Sequence, residues 1–151
     1  MQATTGKPDC PLCRDDGGLR IWRGDAFRVI RADDPDHPAF YRLVWGAHVA
    51  EFGDLSALDR AGCVDALVLI EQALRAILQP TKINLAALGN VVPHLHWHVI
   101  ARWEDDVHWP QPVWAPRQRP GDARRLDALR SRLPAVDEDL RRRLMARFGG
   151  E

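Results

Sequence analysis

The stretch Pro93-His94-Leu95-His96-Trp97-His98-Val99-Ile100 decides how this chain is read. Three histidines alternate strictly with Leu95, Trp97 and Val99. A period of two is that of a β-strand, so the imidazoles leave one face and the apolar side chains leave the other. The apolar side asks for a helix or a second layer, while the histidine side is free to face a cleft. Three of the six histidines of the chain fall within these five residues, concentrating groups that donate, accept or ligate near neutral pH. Such a row suits a metal site, a merely solvated polar face, or phosphate or acyl chemistry. The last, in which one imidazole attacks and its neighbours donate hydrogen bonds, is the reading preferred here.

Upstream, short aromatic and β-branched runs predict strands. Leu19 to Trp22 and Phe27 to Ile30, separated by Arg23-Gly24-Asp25, read as a hairpin. Tyr41 to Trp45 reads as a third strand, with His48 just beyond its end. Lys82 to Leu85 reads as a fourth, leading through Gly89-Asn90 into the histidine strand. Between them, Ser56 with Asp59 three residues on forms a helix-start pattern. The helix it opens runs to about Leu78, stopped by Pro80. Its apolar face is expected at Ala61, Val64, Leu67, Val68, Ile70, Leu74, Ile77 and Leu78, with Cys63 as a small buried residue and Glu71–Arg75 as a flanking pair. His37, in the Pro-bounded connection 32–38, reads as a surface loop residue.

Residues 103–116 carry three tryptophans and three prolines. They exclude a regular helix, and their rings are expected to cover an opening or a subunit boundary. From Pro120-Gly121-Asp122 a helical tail follows, with Leu126, Leu129 and Leu133 on one stripe. It is expected to restart at Pro134 and to continue through Leu140, Leu144, Met145 and Phe148.

A chain of 151 residues with 21 basic and 21 acidic side chains fits one domain and implies no broad nucleic-acid surface. The balance is uneven. Residues 117–151 hold ten arginines against six acids, which reads as a solvated, mixed-sign helical face. No apolar run approaches the ~20 residues that span a bilayer, and no apolar signal core opens the chain, so cytoplasmic residence without membrane association is expected. Three cysteines, two of them in Cys10-Pro11-Leu12-Cys13, argue against a disulfide scaffold. That pair reads as half of a zinc site, as structural thiols, or as a redox motif, the last disfavoured because no strand precedes it.

With His94, His96 and His98 in place, the chain resembles the histidine triad family of nucleotide hydrolases and transferases, over about Phe27 to Arg102. Val44-Trp45-Gly46-Ala47-His48-Val49 with Asp54-Leu55 is similar to the family's strand, upstream histidine and helix entry. Asn84 and Gly89-Asn90 match its asparagine and its glycine–amide pair. The chain departs from the common pattern at Asn90 for glutamine, Val91 for a hydroxyl residue, Pro93, and Ala101-Arg102 for Pro-Arg.

The resemblance implies an α+β fold, an antiparallel sheet of about five strands with a long helix packed on it; the C-terminal helical extension is read from the leucine stripe alone, since residues 117–151 lie outside the resemblance. It implies a catalytic domain over 1–116, with its core at 19–103 and the Cys-x-x-Cys arm at 10–13. The basic tail 117–151 is expected to pack on the same domain. It implies a nucleotidyl hydrolase acting at the α-phosphate of small nucleotide conjugates, either dinucleoside polyphosphates or nucleoside phosphoramidates, through a nucleotidyl-histidine. His96 is then the nucleophile, assisted by His94 and His98, with Asn84, Asn90, His98 and the Val91 backbone N–H on the nucleotide. A homodimer is implied as well. A likeness to the hexose-1-phosphate uridylyltransferase branch implies one structural zinc on Cys10, Cys13, His48 and His94. Nucleotidyl transfer to a phosphate acceptor, a non-catalytic nucleotide- or metal-binding module, and an interaction protein are the alternatives.

Overall fold

The computed structural model describes residues 6–151; the first five residues of the loose arm expected over Met1–Asp9 lie outside them. Elements follow in the order α1 (Pro11–Arg14), β1 (Leu19–Arg23), β2 (Phe27–Arg31), β3 (Phe40–Trp45), a 3-10 turn (Phe52–Asp54), α2 (Ala57–Leu78), β4 (Lys82–Ala86), β5 (His96–Arg102) and α3 (Ala123–Phe148). The five strands form one sheet in the order β1-β2-β3-β5-β4, every neighbouring pair antiparallel. This is the α+β architecture expected, with the histidine strand inside the sheet.

Strand alternation divides the sheet into two chemically different faces. Val29, Tyr41, Leu43, Trp45, Val99 and Ala101 point to one side and join α2 and α3 in the main core. Ile30, Phe40, Val44 and Ile100 point to the other, into two small clusters. The histidines share that second face, because Val44 lies opposite His96 and Arg42 opposite His98.

Helix α2 starts as expected: the Ser56 hydroxyl accepts from the Asp59 N–H at 3.1 Å, and Glu71 and Arg75 pair at 3.4 Å. Its buried face differs from the expected one. Cys63, Ala66, Leu67, Ile70, Ala73, Leu74 and Leu78 turn inward, while Val64 and Val68 are nearly half exposed. Small residues at 63, 66 and 73 let two partners approach, the sheet on one side and α3 on the other, so the seam follows the alanines rather than the valines.

The tail is one continuous helix and does not restart at Pro134. Proline inside a helix costs roughly 3 kcal/mol. Here burial of Leu129, Leu133, Val136, Leu140 and Leu144 against the core on both sides of it outweighs that cost. The surplus of arginine is largely paired: Arg130 with Asp127, Arg141 with Glu138, Arg142 and Arg143 with Asp139, and Arg147 with Asp65. At its end the chain returns to the sheet edge, where Arg23 and Glu151 exchange backbone hydrogen bonds of 2.6 and 2.9 Å.

One buried carboxylate fastens α3 to the sheet. Asp137 accepts from the Tyr41 hydroxyl at 2.6 Å and from Arg31 Nη2 at 3.0 Å. Burial and this carboxylate push the Tyr41 phenol far above its ordinary range, so it stays a donor. Replacing Asp137 by alanine orphans both donors and is expected to cost about 3 kcal/mol, against about 1 kcal/mol for Tyr41→Phe. Urea unfolding of the two variants measures this; equal, sub-kilocalorie losses would contradict the fastening.

Candidate active site

The triad is not one uniform row. His94 sits in the bend before β5, fully buried, whereas His96 and His98 lie on the strand and are half-buried. Two residues before the strand, the chain turns so that the His94 ring points at the Cys-x-x-Cys arm. Its Nε2 donates to the Trp45 carbonyl at 2.7 Å. A carbonyl only accepts, so the proton is on Nε2 and Nδ1 carries a lone pair. That lone pair faces Cys10 Sγ at 3.5 Å and Cys13 Sγ at 3.4 Å.

The same reasoning fixes His96. Its Nδ1 lies 2.6 Å from the His94 carbonyl oxygen and must donate to it, which leaves Nε2 unprotonated whenever the ring is neutral. Burial, ahead of the charge of Arg42, pulls the His96 ring below its usual range, favouring that neutral form. His98 stacks on His96 with centroids 5.1 Å apart and planes at 30°. Burial, then the neighbouring His96 and Arg42, bring it down to about 4. Beside His96 and His94 opens a cavity of about 160 Å³, closed by Phe52, Ala87, Leu88 and Gly89 among others. A larger cavity of about 530 Å³ lies by the arm, between Arg14–Asp16, Arg23–Asp25 and Arg28, and includes none of the triad. Of the triad, His94 and His96 line the smaller one.

The arm itself is a single helical turn, Pro11–Arg14, opened by Cys10. Arg28 fastens it to the sheet. This buried guanidinium donates to the carbonyls of Leu12 at 2.8 Å, Asp15 at 2.9 Å and Asp16 at 3.1 Å. Cys13 Sγ lies 3.3 Å from His48 Nδ1, and ligand atoms of Cys10, Cys13, His48 and His94 all fall within 4.8 Å of one another. Two thiols and two imidazoles at that spacing fit a tetrahedral zinc ion, and the Trp45 carbonyl is the outer acceptor such a histidine ligand ordinarily uses.

The remaining expected site residues are placed less directly. Asn84 is on the histidine face, but its Oδ1 accepts from Arg102 Nη1 at 2.9 Å. Asn90 is exposed in the loop before the strand, and the Val91 side chain is 94% exposed. Neither side chain has a hydrogen bond to the imidazoles among the described residues. Gly89 turns that loop with φ of 69°, a conformation side chains disfavour.

Three features escaped the sequence reading. His37 is buried rather than a surface residue, its Nε2 2.8 Å from His108 Nδ1. Asp106 receives Arg102 at 2.7 and 3.0 Å and the N–H groups of Trp103, His108 and Trp109. This buried knot anchors loop 103–116, whose Val113 covers Phe40 and Ile100. Trp114, expected to cover an opening, is 62% exposed. The third feature is Arg42, half-buried on the histidine face. A charged residue inside the apolar run Phe40–Trp45 was the available signal.

A depressed histidine makes acid destabilising. Unfolded His98 takes up its proton near 6.5 and the folded ring only near 4, so the unfolded chain binds more protons in between and stability falls as pH drops across that window. Above it the contribution is complete. Denaturant unfolding at pH 7 and pH 5 should show a smaller loss for His98→Asn than for the parent; identical losses would show that His98 does not titrate this way.

Known proteins place this geometry. The model of the HIT domain matches residues 19–105. The chain is similar to a histidine triad protein from Bradyrhizobium japonicum, with 31% identity and a TM-score of 0.67 over 83% of this chain and 92% of that one. It is similar to a histidine triad protein from Sinorhizobium meliloti 1021, with 30% identity and a TM-score of 0.68 over 90% and 98%. A zinc-bound histidine triad family protein from Mycobacterium smegmatis shares the fold at 22% identity and a TM-score of 0.58, over 86% and 96%. In sequence, an AP-4-A phosphorylase of Mycobacterium tuberculosis is 27% identical over 110 residues, 67% of this chain and 55% of the relative. The chain thus spans about half the length of that curated relative. A family match across more than half of its residues, on a triad with this geometry, makes the chain a member of the histidine triad (HIT domain) family.

Proposed function

We propose that the protein is a nucleotidyl hydrolase that cleaves small nucleotide conjugates at the α-phosphate. The observation that carries this reading is the hydrogen bond from His96 Nδ1 to the His94 carbonyl at 2.6 Å. It orients a neutral imidazole with its Nε2 lone pair available, which is what in-line attack on phosphorus requires.

In the first step the Nε2–phosphorus bond forms and the bond from phosphorus to the leaving group breaks, the departing atom taking the electron pair and then a proton. His98, stacked at 5.1 Å, is placed to donate to an equatorial oxygen as charge builds there. In the second step water attacks phosphorus, the phosphorus–nitrogen bond breaks and its electrons return to Nε2. The products are a nucleoside monophosphate and a proton. With inorganic phosphate in place of water, the same intermediate yields a nucleoside diphosphate. The phosphorylase relative favours keeping that second outcome open. Both share the first half-reaction, and Val91 offers no hydroxyl to the leaving group in either.

Cys10, Cys13, His48 and His94 would hold one structural zinc ion. Four protein ligands close such a site, so the ion would contribute folding energy and offer no open position for substrate. Burial pushes the Cys13 thiol upward; a divalent cation there would hold it as thiolate. The zinc carried by a protein of the same fold is consistent with this. A homodimer also belongs to the reading: β4 is an edge strand, and its Leu85 and the following Leu88 are nearly half exposed. No helix among the described residues is long and apolar enough to cross a membrane.

Purified protein incubated with dinucleoside polyphosphates and nucleoside phosphoramidates, with and without inorganic phosphate, tests the reaction. Release of nucleoside monophosphate is expected, with His96→Ala at least 1,000-fold slower, in the range lost when covalent catalysis is removed. Full turnover by His96→Ala would remove the assigned nucleophile. For the metal, elemental analysis should return about one zinc per chain, lost in Cys10→Ser/Cys13→Ser together with several degrees of melting temperature. Metal-free native protein as stable as the variant would remove the site.

A further inference from the structure

Three buried nitrogen atoms on the histidine face lack a hydrogen-bond partner among the described residues: Arg42 Nε and both ring nitrogens of His98. They belong to neighbours. Arg42 and His98 are directly opposite across β3 and β5, and both lie against Phe40, at 5.1 Å for the guanidinium carbon and 5.2 Å for the imidazole.

The arginines of β2 and β5 are spoken for. Arg28 holds three carbonyls of the arm, Arg31 pairs with Asp137, and Arg102 pairs with Asp106. Arg42 forms no ion pair among the described residues. Burial lowers the proton affinity of its guanidinium, opposed only in part by the charge of Asp34, and Asp34 Oδ1 already accepts from the Asp36 and His37 N–H groups. Folded proteins rarely bury a donor without an acceptor, and each exception calls for an explanation such as a catalytic role or an ion. An imidazole N–H beside a guanidinium N–H is a donor pair for an oxyanion. Neither of the two lysines is available on this face: Lys82 Nζ bonds the Ile83 carbonyl at the far end of β4, and Lys7 is in the exposed arm.

We propose that Arg42 is a phosphoryl-binding residue of this site, its Nε–H and the His98 ring together holding a non-bridging oxygen of the phosphate that His96 attacks. The assignment rests on the reading of His96 as the nucleophile, which His98 adjoins. It also names a substrate class: the phosphoryl group must keep a negative charge on its non-bridging oxygens, because a neutral phosphoryl group leaves the guanidinium unanswered. Arg42 then supplies charge stabilisation on a face where Val91 brings no hydroxyl.

The probe is inorganic phosphate, titrated into the ¹⁵N-labelled full chain while the Arg42 Nε–H and His98 ring resonances are followed. Both should move saturably. Arg42→Met should weaken phosphate at least tenfold and Arg42→Lys less, since lysine keeps the charge but not the geometry. With substrate, Arg42→Met should lower kcat/KM at least 100-fold for a charged phosphoryl conjugate and leave a methylphosphonate analogue, neutral at the same atom, within threefold. Phosphate that leaves both resonances in place, or Arg42→Met with unaltered phosphate affinity, overturns the assignment. If Arg42→Met does not fold, the wild-type titration and Arg42→Lys decide. Phosphate binding at Arg42 without turnover of any conjugate would retain this residue and remove the hydrolase; turnover indifferent to Arg42 would do the reverse.

Discussion

The His94 side chain and its peptide hold this site together. The ring donates to the Trp45 carbonyl at 2.7 Å and presents its lone pair to two thiols, while the carbonyl of the same residue receives His96 at 2.6 Å. One buried residue therefore joins the end of β3, the Cys-x-x-Cys arm and the proposed nucleophile. Its own N–H closes onto the Val92 carbonyl at 2.8 Å, which makes the bend that takes it out of the strand. A shift of that bend would displace the arm and turn the His96 ring together. The Cys/His cluster and the histidine strand are thus mechanically one object, although no ligand of the proposed zinc need touch substrate.

The sheet supplies the rest of the site by dividing its faces. One face is given wholly to α2 and α3, which bury Tyr41, Leu43, Val99 and their neighbours. The other face carries arginines and imidazoles at alternate positions, an arrangement that would be costly without acceptors. Arg28 finds its acceptors in the carbonyls of the arm and Arg102 in Asp106 and Asn84. Arg42 Nε and both His98 ring nitrogens are left without a partner among the described residues. The main core lies on one side of the sheet, and the unpartnered Arg42 Nε and His98 ring nitrogens lie on the other.

Much of this was legible from residues alone. Period-two alternation located the histidine strand, and Ser56 with Asp59 marked the start of α2, because these signals are local and set by backbone geometry. The four zinc-site residues could be brought together only by resemblance, since Cys13 and His94 are 81 positions apart and spacing carries no distance. Long-range packing defeated the local rules elsewhere. Pro134 reads as a break, yet the helix passes through it because both halves bury leucines on the same core. Val64 and Val68 read as core and are exposed, since α2 must sit closely between two partners along its small residues. His37 reads as a loop residue, and only the fold reveals that loop 103–116 brings His108 to within 2.8 Å of it.

The central claim is that His96 is held as a neutral imidazole with its proton on Nδ1, leaving Nε2 to react. Long-range ¹H–¹⁵N correlation spectra of the histidine rings at pH 7 read this directly, with His96→Gln used to assign the signal. The account predicts a protonated Nδ1 and an Nε2 shift characteristic of a bare lone pair. A ring protonated at Nε2, whether as the other tautomer or as imidazolium, would contradict it.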